Sequence, residues 1–202
     1  KHNIPVITTF LSADLLPSEH KLNIGRVGIK GNRAANFAMQ NSDLVLSIGC
    51  RLSVPSTGYN YDYFAREAKI VVVDIDPEEH KKDTVKIDLF VEMDARDFIN
   101  KFNSEYISPS GWVNSCSKWK TIWPLFLPEH EDDEGGISLY RFMKKLSSAL
   151  PPICSVVGDA GSAYYVPCQV LQIKEGRNGI YLAGLYRAFF RNGQTSCNRH
   201  HR

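Results

Sequence analysis

A nearly unbroken apolar run decides the fold of this chain: Lys69-Ile70-Val71-Val72-Val73-Asp74-Ile75-Asp76. A strand that covers one face of a sheet alternates apolar and polar residues, whereas a strand buried on both faces is apolar throughout, as parallel strands are. Residues 43–49 have the same character, and residues 4–9 and 86–92 are two further candidate strands. The pattern therefore predicts a parallel sheet that is covered by helices on both faces.

Helical patterns separate these strands. Residues 32–40 are rich in alanine, residues 61–67 are a short candidate, and residues 95–102 place apolar side chains at helical spacing. Strand and helix alternating at this interval indicate an α/β fold with a doubly wound parallel sheet, that is, a Rossmann-like domain with right-handed crossovers. We place this domain at residues 1–103.

The next segment, residues 104–135, differs in composition. Pro, Ser and Trp are followed by an acidic run. We interpret the segment as a linker that crosses a surface and is held there by Trp112, Trp119 and Trp123. The acidic residues are typical of a solvated loop, so the linker is expected to separate two folded units.

Residues 136–176 are predicted to open a second, incomplete α/β domain. Its elements are an amphipathic helix, a strand and a helix that follows a turn at Gly161, at residues 138–150, 153–159 and 162–174. The remaining residues, 177–202, are polar and basic and are interpreted as an irregular tail, in which residues 178–184 are a possible further strand.

Charge and cysteine usage exclude several classes of function. Among 202 residues, 24 Lys and Arg stand against 22 Asp and Glu, a net charge of +2 that favours neither nucleic acid nor an anionic membrane as a partner. No apolar run approaches the roughly 20 residues that span a bilayer. The cysteines form no C-x-x-C pair, which argues against a disulfide framework and a metal site and favours a reducing, cytoplasmic compartment. They are Cys50, Cys116, Cys154, Cys168 and Cys197.

A glycine-rich turn leads directly into the first predicted helix: Gly25-Arg26-Val27-Gly28-Ile29-Lys30-Gly31-Asn32. Glycines allow a ligand to approach the backbone, and the N–H groups at a helix N-terminus stabilise a phosphate. The spacing is not the G-x-G-x-x-G of dinucleotide-binding proteins. The residues alone therefore leave two interpretations open, a phosphate site and a tight structural turn.

Polar residues follow two of the predicted strands, in Gly49-Cys50-Arg51 and Asp74-Ile75-Asp76-Pro77. Ligands of open parallel sheets bind at the carboxyl ends of the strands, where a carboxylate can accept hydrogen bonds from a ribose and an arginine can neutralise a phosphate. The alternatives are that Asp76 caps the turn at Pro77 and that Arg51 holds a surface carboxylate.

Four linked motifs resemble, in order and spacing, the central domain of thiamine-diphosphate enzymes similar to acetolactate synthase. They are residues 4–9, 25–38, 42–51 and 68–77. The chain begins where the second strand of that domain is expected, so the resemblance implies that the first strand is missing. Val157-Gly158-Asp159-Ala160-Gly161-Ser162 resembles the start of the family's C-terminal domain, which binds the cofactor's diphosphate.

This resemblance implies a transferase or lyase that decarboxylates a 2-keto acid or joins it to an acceptor. The parent enzyme would use thiamine diphosphate and Mg²⁺ between subunits of a homo-oligomer, and some members also bind FAD in the central domain. The residues that the resemblance assigns to cofactors are Gly28, Gly31, Gly49, Arg51, Asp74 and Asp76 for FAD, and Gly161 and Ser162 for the diphosphate.

Departures from the family pattern limit what we expect of this chain. Leu52-Ser53-Val54-Pro55 replaces the Phe-Asp-Asp-Arg of FAD-binding members, and Lys30 replaces a histidine, which weakens the expectation of FAD. The domain that carries the activating glutamate and the Gly-Asp-Gly magnesium signature are not in this sequence. We therefore assign no catalytic residue and expect an inactive fragment. Two alternatives stay open: Ser162 could be the N-cap of the following helix, and the chain could be a non-catalytic nucleotide-binding or structural module.

Overall fold

The computed structural model describes residues 2–103, 105–131, 136–151 and 154–174, together with the backbone of residues 178–182. Every strand pair within these residues is parallel, and helices flank the strands. The predicted α/β class with a doubly wound, Rossmann-like sheet is confirmed.

The elements alternate along the chain as the apolar pattern predicts. The strands are β1 (Val6–Thr8), β2 (Asn23–Arg26), β3 (Leu44–Ile48), β4 (Lys69–Asp74), β5 (Leu89–Glu92), β6 (Ser155–Gly158) and β7 (Asn178–Leu182). The helices are α1 (Arg33–Gln40), α2 (Val54–Thr57), α3 (Ala95–Lys101), α4 (Ser110–Ile122), α5 (Leu139–Ala149) and α6 (Ser162–Val170). β1 pairs with β2, β3 to β5 form a three-stranded sheet in chain order, and β6 pairs with β7.

The most apolar strand occupies the centre of the three-stranded sheet. β4 lies between β3 and β5, and its residues Ile70, Val72 and Val73 are buried. Ile70 and Val72 belong to a hydrophobic core that also contains Val27, Met39, Phe64 and Val85. Burial on both faces is the reason why residues 69–74 show no polar alternation.

A second core lies where the C-terminal elements meet the start of the chain. Met143 of α5, Cys168 of α6 and Ile173 are buried together with Phe10, which follows β1. The backbone is joined at the same place, because the N–H of Ser18 donates to the carbonyl of Ile173 over 2.8 Å. The described part of residues 136–176 thus packs directly on the N-terminal part.

Residues 104–135, which we interpret from the sequence as a linker that crosses a surface, contain a regular helix, α4. α4 packs on α1 and β2: its Cys116 is fully buried beside Ala34, Ala38 and Ile24, and Trp112 and Trp119 cover them. Lys120 fastens the helix, since its Nζ donates to the carbonyl of Asn23 over 2.7 Å. The tryptophans hold the segment as expected, and Trp123 lies 4.2 Å from the ring of Phe37.

Other boundaries also differ from the sequence-based predictions. Residues 61–67 form only a 3-10 turn at Tyr61–Tyr63, and Ala65 has a φ of 44°, which no helix continues through. β2 was not predicted, and α6 ends at Val170 rather than at residue 174. Residues 178–182 form β7, the possible strand in the segment taken as a tail, whereas Cys197 and the rest of that tail lie outside the described residues.

Candidate functional site

The glycine turn ahead of α1 is closed by hydrogen bonds within the protein. The N–H of Gly28 donates to Oδ1 of Asn36 over 2.9 Å, and the N–H of Gly31 donates to the carbonyl of Gly28 over 2.9 Å. Ile29 donates to Pro55, and Asn32 donates to the carbonyl of Arg26 over 2.7 Å. These four N–H groups already have acceptors, so a phosphate would have to displace them.

Packing explains why two of these positions are glycine. A Cβ at Gly28 would overlap the carbonyl oxygen of Pro55, and the φ of Gly28 is +120°. A Cβ at Gly31 would lie 2.6 Å from the carbonyl carbon of Val27, closer than side chains approach a backbone. The geometry of this turn favours the structural interpretation over the phosphate site.

The strand ends of β3 and β4 bring several charged groups together. Nε of Arg51 lies 2.5 Å from Oε1 of Glu79, and Lys82 pairs with the same carboxylate. The N–H of Gly49 donates to the carbonyl of Val73 and continues the sheet past β3. Arg51 therefore holds a surface carboxylate, which is the alternative that the sequence left open.

The two aspartates after β4 serve the backbone that follows them. Oδ1 of Asp76 accepts from the N–H groups of Glu78 and Glu79, so Asp76 caps the turn after Pro77. Oδ1 of Asp74 accepts from the N–H of Asp76 over 3.1 Å. Both carboxylates are thus engaged locally, as the capping interpretation of Asp76 predicts.

A buried histidine adjoins this pair of strand ends. Nε2 of His80 lies 3.3 Å from Oδ2 of Asp74, and the side chain of His80 is only 4% exposed. Burial by itself would raise the pKa of Asp74, but the backbone N–H of Asp76 and the His80 side chain hold that pKa below its usual value. These contacts favour the charged form of the Asp74 carboxylate at the end of β4.

A cleft of about 200 Å³ opens between these residues and the loop that precedes β5. Its walls combine charged groups with apolar side chains: Arg51, Glu79, Lys82, Tyr61, Val85 and Ile87. His80 lines it as well, while Gly28, Gly31, Asp76, Gly161 and Ser162 do not. The structure therefore connects Arg51 with Asp74: Arg51 pairs with Glu79, and the neighbouring His80 contacts Asp74. The glycines of the turn do not line this cleft.

The residues that sequence analysis missed in this cleft are Glu79, His80 and Lys82. They lie in the charged run Glu78-Glu79-His80-Lys81-Lys82, directly after the aspartates. A charged run of this kind is typical of a solvated turn, so composition did not mark it. Its position immediately after a buried parallel strand is the signal that would have found it.

A separate exposed turn precedes α6. Gly161, with a φ of 65°, is the N-cap, so Ser162 is the first helical residue and not the cap that the sequence offered as an alternative. Asp159, Gly161 and Ser162 are exposed, and a Cβ at Gly161 would meet open space. An exposed helix N-terminus with a hydroxyl in its first turn can bind an anion such as a diphosphate.

Two further tests of the described residues concern metals and membranes. Within the described ranges there is no group of three or more His, Cys, Asp and Glu side chains that could hold a metal ion. Among the helices that the structure describes, none is both long and apolar enough to cross a membrane.

Comparison with known proteins identifies the family. Residues 1–102 match the family described as thiamine pyrophosphate enzyme, central domain. The chain is 31% identical over 189 residues to a probable acetolactate synthase large subunit of Methanocaldococcus jannaschii, which covers 91% of this chain and 30% of the relative. It is 27% identical over 187 residues to the acetolactate synthase large subunit of Corynebacterium glutamicum, covering 90% of this chain and again 30% of the relative.

The chain therefore spans less than a third of the length of these relatives, 30% in both cases. The family match nevertheless includes all four linked motifs of the central domain, from residues 4–9 to residues 68–77. The fold agrees with it, since the matched residues form parallel strands joined by helices. The chain belongs to the thiamine-pyrophosphate-dependent, acetolactate-synthase-like enzyme family.

Proposed function

We propose that this chain is the central domain and the opening of the C-terminal domain of an acetolactate-synthase-like enzyme. The enzyme would decarboxylate a 2-keto acid or join it to an acceptor, as a homo-oligomeric, cytoplasmic transferase or lyase. The observation that carries the proposal is the family match over residues 1–102, in the same chain as the strand, Gly161 turn and helix of β6 and α6.

Thiamine diphosphate is the proposed cofactor, and the turn before α6 fits its diphosphate. The Ser162 hydroxyl and the N–H groups of the first helical turn would hold the phosphates at the exposed N-terminus of α6. When bound, the cofactor supplies the electron sink for the carbanion derived from the keto acid. Mg²⁺ is proposed to accompany the diphosphate, and no residue of this chain is assigned to it.

The chain is proposed to be inactive by itself. No side chain of the described residues is assigned a catalytic role. The chain would contribute to the enzyme by holding and orienting the cofactor and by supplying the central domain. Turnover of pyruvate by this chain alone, above that of a heat-denatured sample, would contradict this part of the proposal.

A second candidate function is that of a purely structural module. The observation in its favour is that groups assigned to FAD already have partners within the protein. The N–H of Gly28 donates to Oδ1 of Asn36 and the N–H of Gly31 to the carbonyl of Gly28, while Arg51 pairs with Glu79 and Asp76 caps the turn after it. FAD would have to break the Arg51–Glu79 pair before it gained a phosphate contact. These residues do not fit FAD as they are arranged, and we route no chemistry through it.

The two candidates can be separated by ligand-induced thermal shifts. Thiamine diphosphate with Mg²⁺ is expected to raise the melting temperature of the chain, because it binds the folded form only. Ser162→Asp is expected to abolish that shift by placing a negative charge against the diphosphate, whereas Ser148→Asp on α5 is expected to retain it.

Titrations of FAD and ADP against wild type, Arg51→Gln and the exposed-site control Arg66→Gln complete the test. A shift with FAD or ADP that only Arg51→Gln abolishes would favour a nucleotide-binding module over the thiamine-diphosphate proposal. No shift with any of the three ligands would favour the structural module.

A further inference from the structure

A second cleft, apart from the candidate site, opens along α5 and has a volume of about 460 Å³. It lies between α5 and the 3-10 turn Pro128–Glu131. All but one of the side chains that line it are charged or carry a hydroxyl group. They are Glu131, Arg141, Lys144, Lys145, Ser148 and Ala149. We refer to this feature as the basic cleft.

The cations of the basic cleft lie on one face of an amphipathic helix. Met143 and Leu146 of α5 pack in the second core, whereas residues 141, 144, 145 and 148 follow the spacing of a single helix face and line the cleft. α5 contains no acidic residue that could pair with these cations. Its last turn contains no basic residue, so the cations are not placed where the helix dipole would favour them. Neither pairing within α5 nor its dipole accounts for this basic face.

The carboxylate of Glu131 shows that the basic cleft holds an anion. Its Oε1 lies 2.7 Å from Nζ of Lys144, and its Oε2 lies 3.6 Å from Nε of Arg141. The hydrogen bond from Lys144 and the charges of Lys144, Arg141 and Lys145 hold the pKa of Glu131 below its usual value. One carboxylate against three cationic side chains leaves two positive charges uncompensated in the cleft.

The two lysines contribute to the cleft in different ways. Nζ of Lys144 lies 5.1 Å from the centre of the Phe126 ring, and Phe126 packs against the second core, so this ammonium group is held at the wall. Lys145 is exposed and forms no ion pair within the part of the chain that the structure describes. The cleft therefore contains one ammonium group that already binds an oxygen and one that is available for another anion.

We propose that the basic cleft binds a dianionic phosphate group, either free or as the phosphomonoester of a small molecule, and that Glu131 competes for the same cations. A phosphate dianion matches the two uncompensated charges, and its three terminal oxygens can accept from Arg141, Lys144 and Lys145 together. Oγ of Ser148 already donates to the carbonyl of Lys144 over 3.1 Å, so we assign it no phosphate contact. The inference does not rest on the proposed function.

Amide NMR of the full chain during a titration with inorganic phosphate tests the cleft residue by residue. At about pH 8, where phosphate is mainly dianionic, we expect saturable shifts of the amide signals of Lys144, Lys145 and Ser148, with a Kd of about 1 mM. Potassium chloride at the same ionic strength is expected to produce no saturable shift. Glycerol phosphate distinguishes the two sources, because tighter binding than that of inorganic phosphate would favour a phosphomonoester.

Charge variants with matched controls test the role of each side chain. Lys145→Gln is expected to weaken phosphate binding about fivefold, whereas Lys118→Gln, at an exposed position of α4, is expected to leave it unchanged. Glu131→Gln removes the competing charge and is expected to tighten binding about threefold. Glu129→Gln, in the same 3-10 turn but outside the lining of the cleft, is its control.

Two serine variants separate the basic cleft from the turn before α6. Ser148→Asp places a carboxylate one helical turn after Lys144 and Lys145, where it would pair with them, and is expected to abolish the phosphate shifts. Ser162→Asp is expected to retain them. A loss of phosphate binding in Ser162→Asp alone would assign the phosphate to the turn before α6 and overturn the proposal.

Three further results would also contradict it. The first is a phosphate titration without saturable shifts in the basic cleft. The second is the same response to chloride, which would mean that phosphate only screens the surface charges. The third is saturation that requires Asp132→Asn, Asp133→Asn and Glu134→Gln together, which would assign the cleft to the acidic run of the chain itself.

Discussion

At the residue scale, Asp74 is a charged carboxylate at the end of β4 whose partners are groups of the protein itself. Its carboxylate accepts from the N–H of Asp76 and lies 3.3 Å from Nε2 of His80. Burial favours the neutral acid, but the hydrogen bond from Asp76 and the His80 side chain outweigh it and lower the pKa of Asp74. The Asp74 carboxylate therefore stabilises the end of the strand through these contacts, and a ligand would have to compete with them.

The first prediction concerns the pH dependence of stability. Because the pKa of Asp74 is lower in the folded chain than in the unfolded chain, its contribution is fully present above about pH 4 and is lost as pH falls through the folded pKa. Asp74→Asn is expected to lower the free energy of unfolding by about 1 kcal/mol at pH 7 and to flatten its decline below pH 4. Urea unfolding between pH 3 and pH 7 measures both. Asp83→Asn, at an exposed position, is the control; equal pH profiles for the two variants would contradict the assignment.

The second prediction concerns the thiols. Burial raises the pKa of Cys116 and of Cys168 to about 11, and both side chains are 0% exposed, whereas Cys50 and Cys154 are partly exposed. Since the thiolate is the reactive form, iodoacetamide at pH 8 is expected to label Cys50 and Cys154 in the folded chain and to spare the buried pair. Peptide mass spectrometry before and after addition of urea measures this. Early labelling of Cys168 would show that α6 does not pack as described.

At the element scale, the glycine turn is the clearest case of a motif with a structural cause. The third prediction is that Gly31→Ala destabilises the chain by about 2 kcal/mol or more, because the new Cβ would press on the backbone of Val27 and Gly28. Gly111→Ala in α4 is the matched control: its Cβ meets open space, and about 0.5 kcal/mol of stabilisation is expected. Thermal unfolding compares the two. It also follows that a loss of ligand binding in a Gly31 variant would report on folding and not on contact with the ligand.

The sequence predicts elements well where one periodicity dominates. β4 and α1 were predicted within two residues at each end, because an apolar run and an alanine-rich helix leave few alternatives. β2 was missed since it is only four residues long and contains Gly25 and Arg26, which carry no strand signal. α4 was missed because its stability comes from packing of Cys116 and two tryptophans on α1, a tertiary contact that local composition does not contain.

The candidate site shows the same division. The carboxyl ends of β3 and β4 were predicted to meet, and they do, because parallel strands end at one sheet edge. The partners of the residues there were not predictable, because Arg51 pairs with Glu79, 28 positions along the chain, which lies in the turn that Asp76 caps. The positions of the strands in the sequence thus predicted where the candidate site lies. Only the structure shows which of its polar groups already have hydrogen-bond partners within the protein.

At the scale of the whole molecule, hydrogen bonds of Gln169 and Arg26 join the two α/β parts. Nε2 of Gln169 in α6 donates to the carbonyl of Lys30 in the glycine turn over 2.7 Å, and its Oε1 accepts from the hydroxyl of Tyr140 in α5 over 2.5 Å. The guanidinium of Arg26, 6% exposed, donates from Nη1 to the backbone carbonyl of Gln169 over 3.2 Å. The glycine turn is therefore also the surface on which the C-terminal elements dock.

The fourth prediction tests this docking. Gln169→Glu keeps an acceptor for Tyr140 but replaces the donor to Lys30 by an oxygen that the carbonyl repels, so we expect a loss of about 2 kcal/mol. Tyr140→Phe deletes one hydrogen bond and leaves the Lys30 contact, so about 1 kcal/mol is expected.

The readout follows from where the tryptophans lie. All three, at positions 112, 119 and 123, belong to the α4 segment, so fluorescence follows the N-terminal part, whereas far-ultraviolet circular dichroism follows both parts. In wild type the two urea transitions are expected to coincide. In Gln169→Glu the dichroism is expected to begin falling at lower urea, because α5 and α6 undock first. Coincident transitions at the wild-type midpoint in that variant would mean that the Gln169 side chain does not contribute to holding the two parts together.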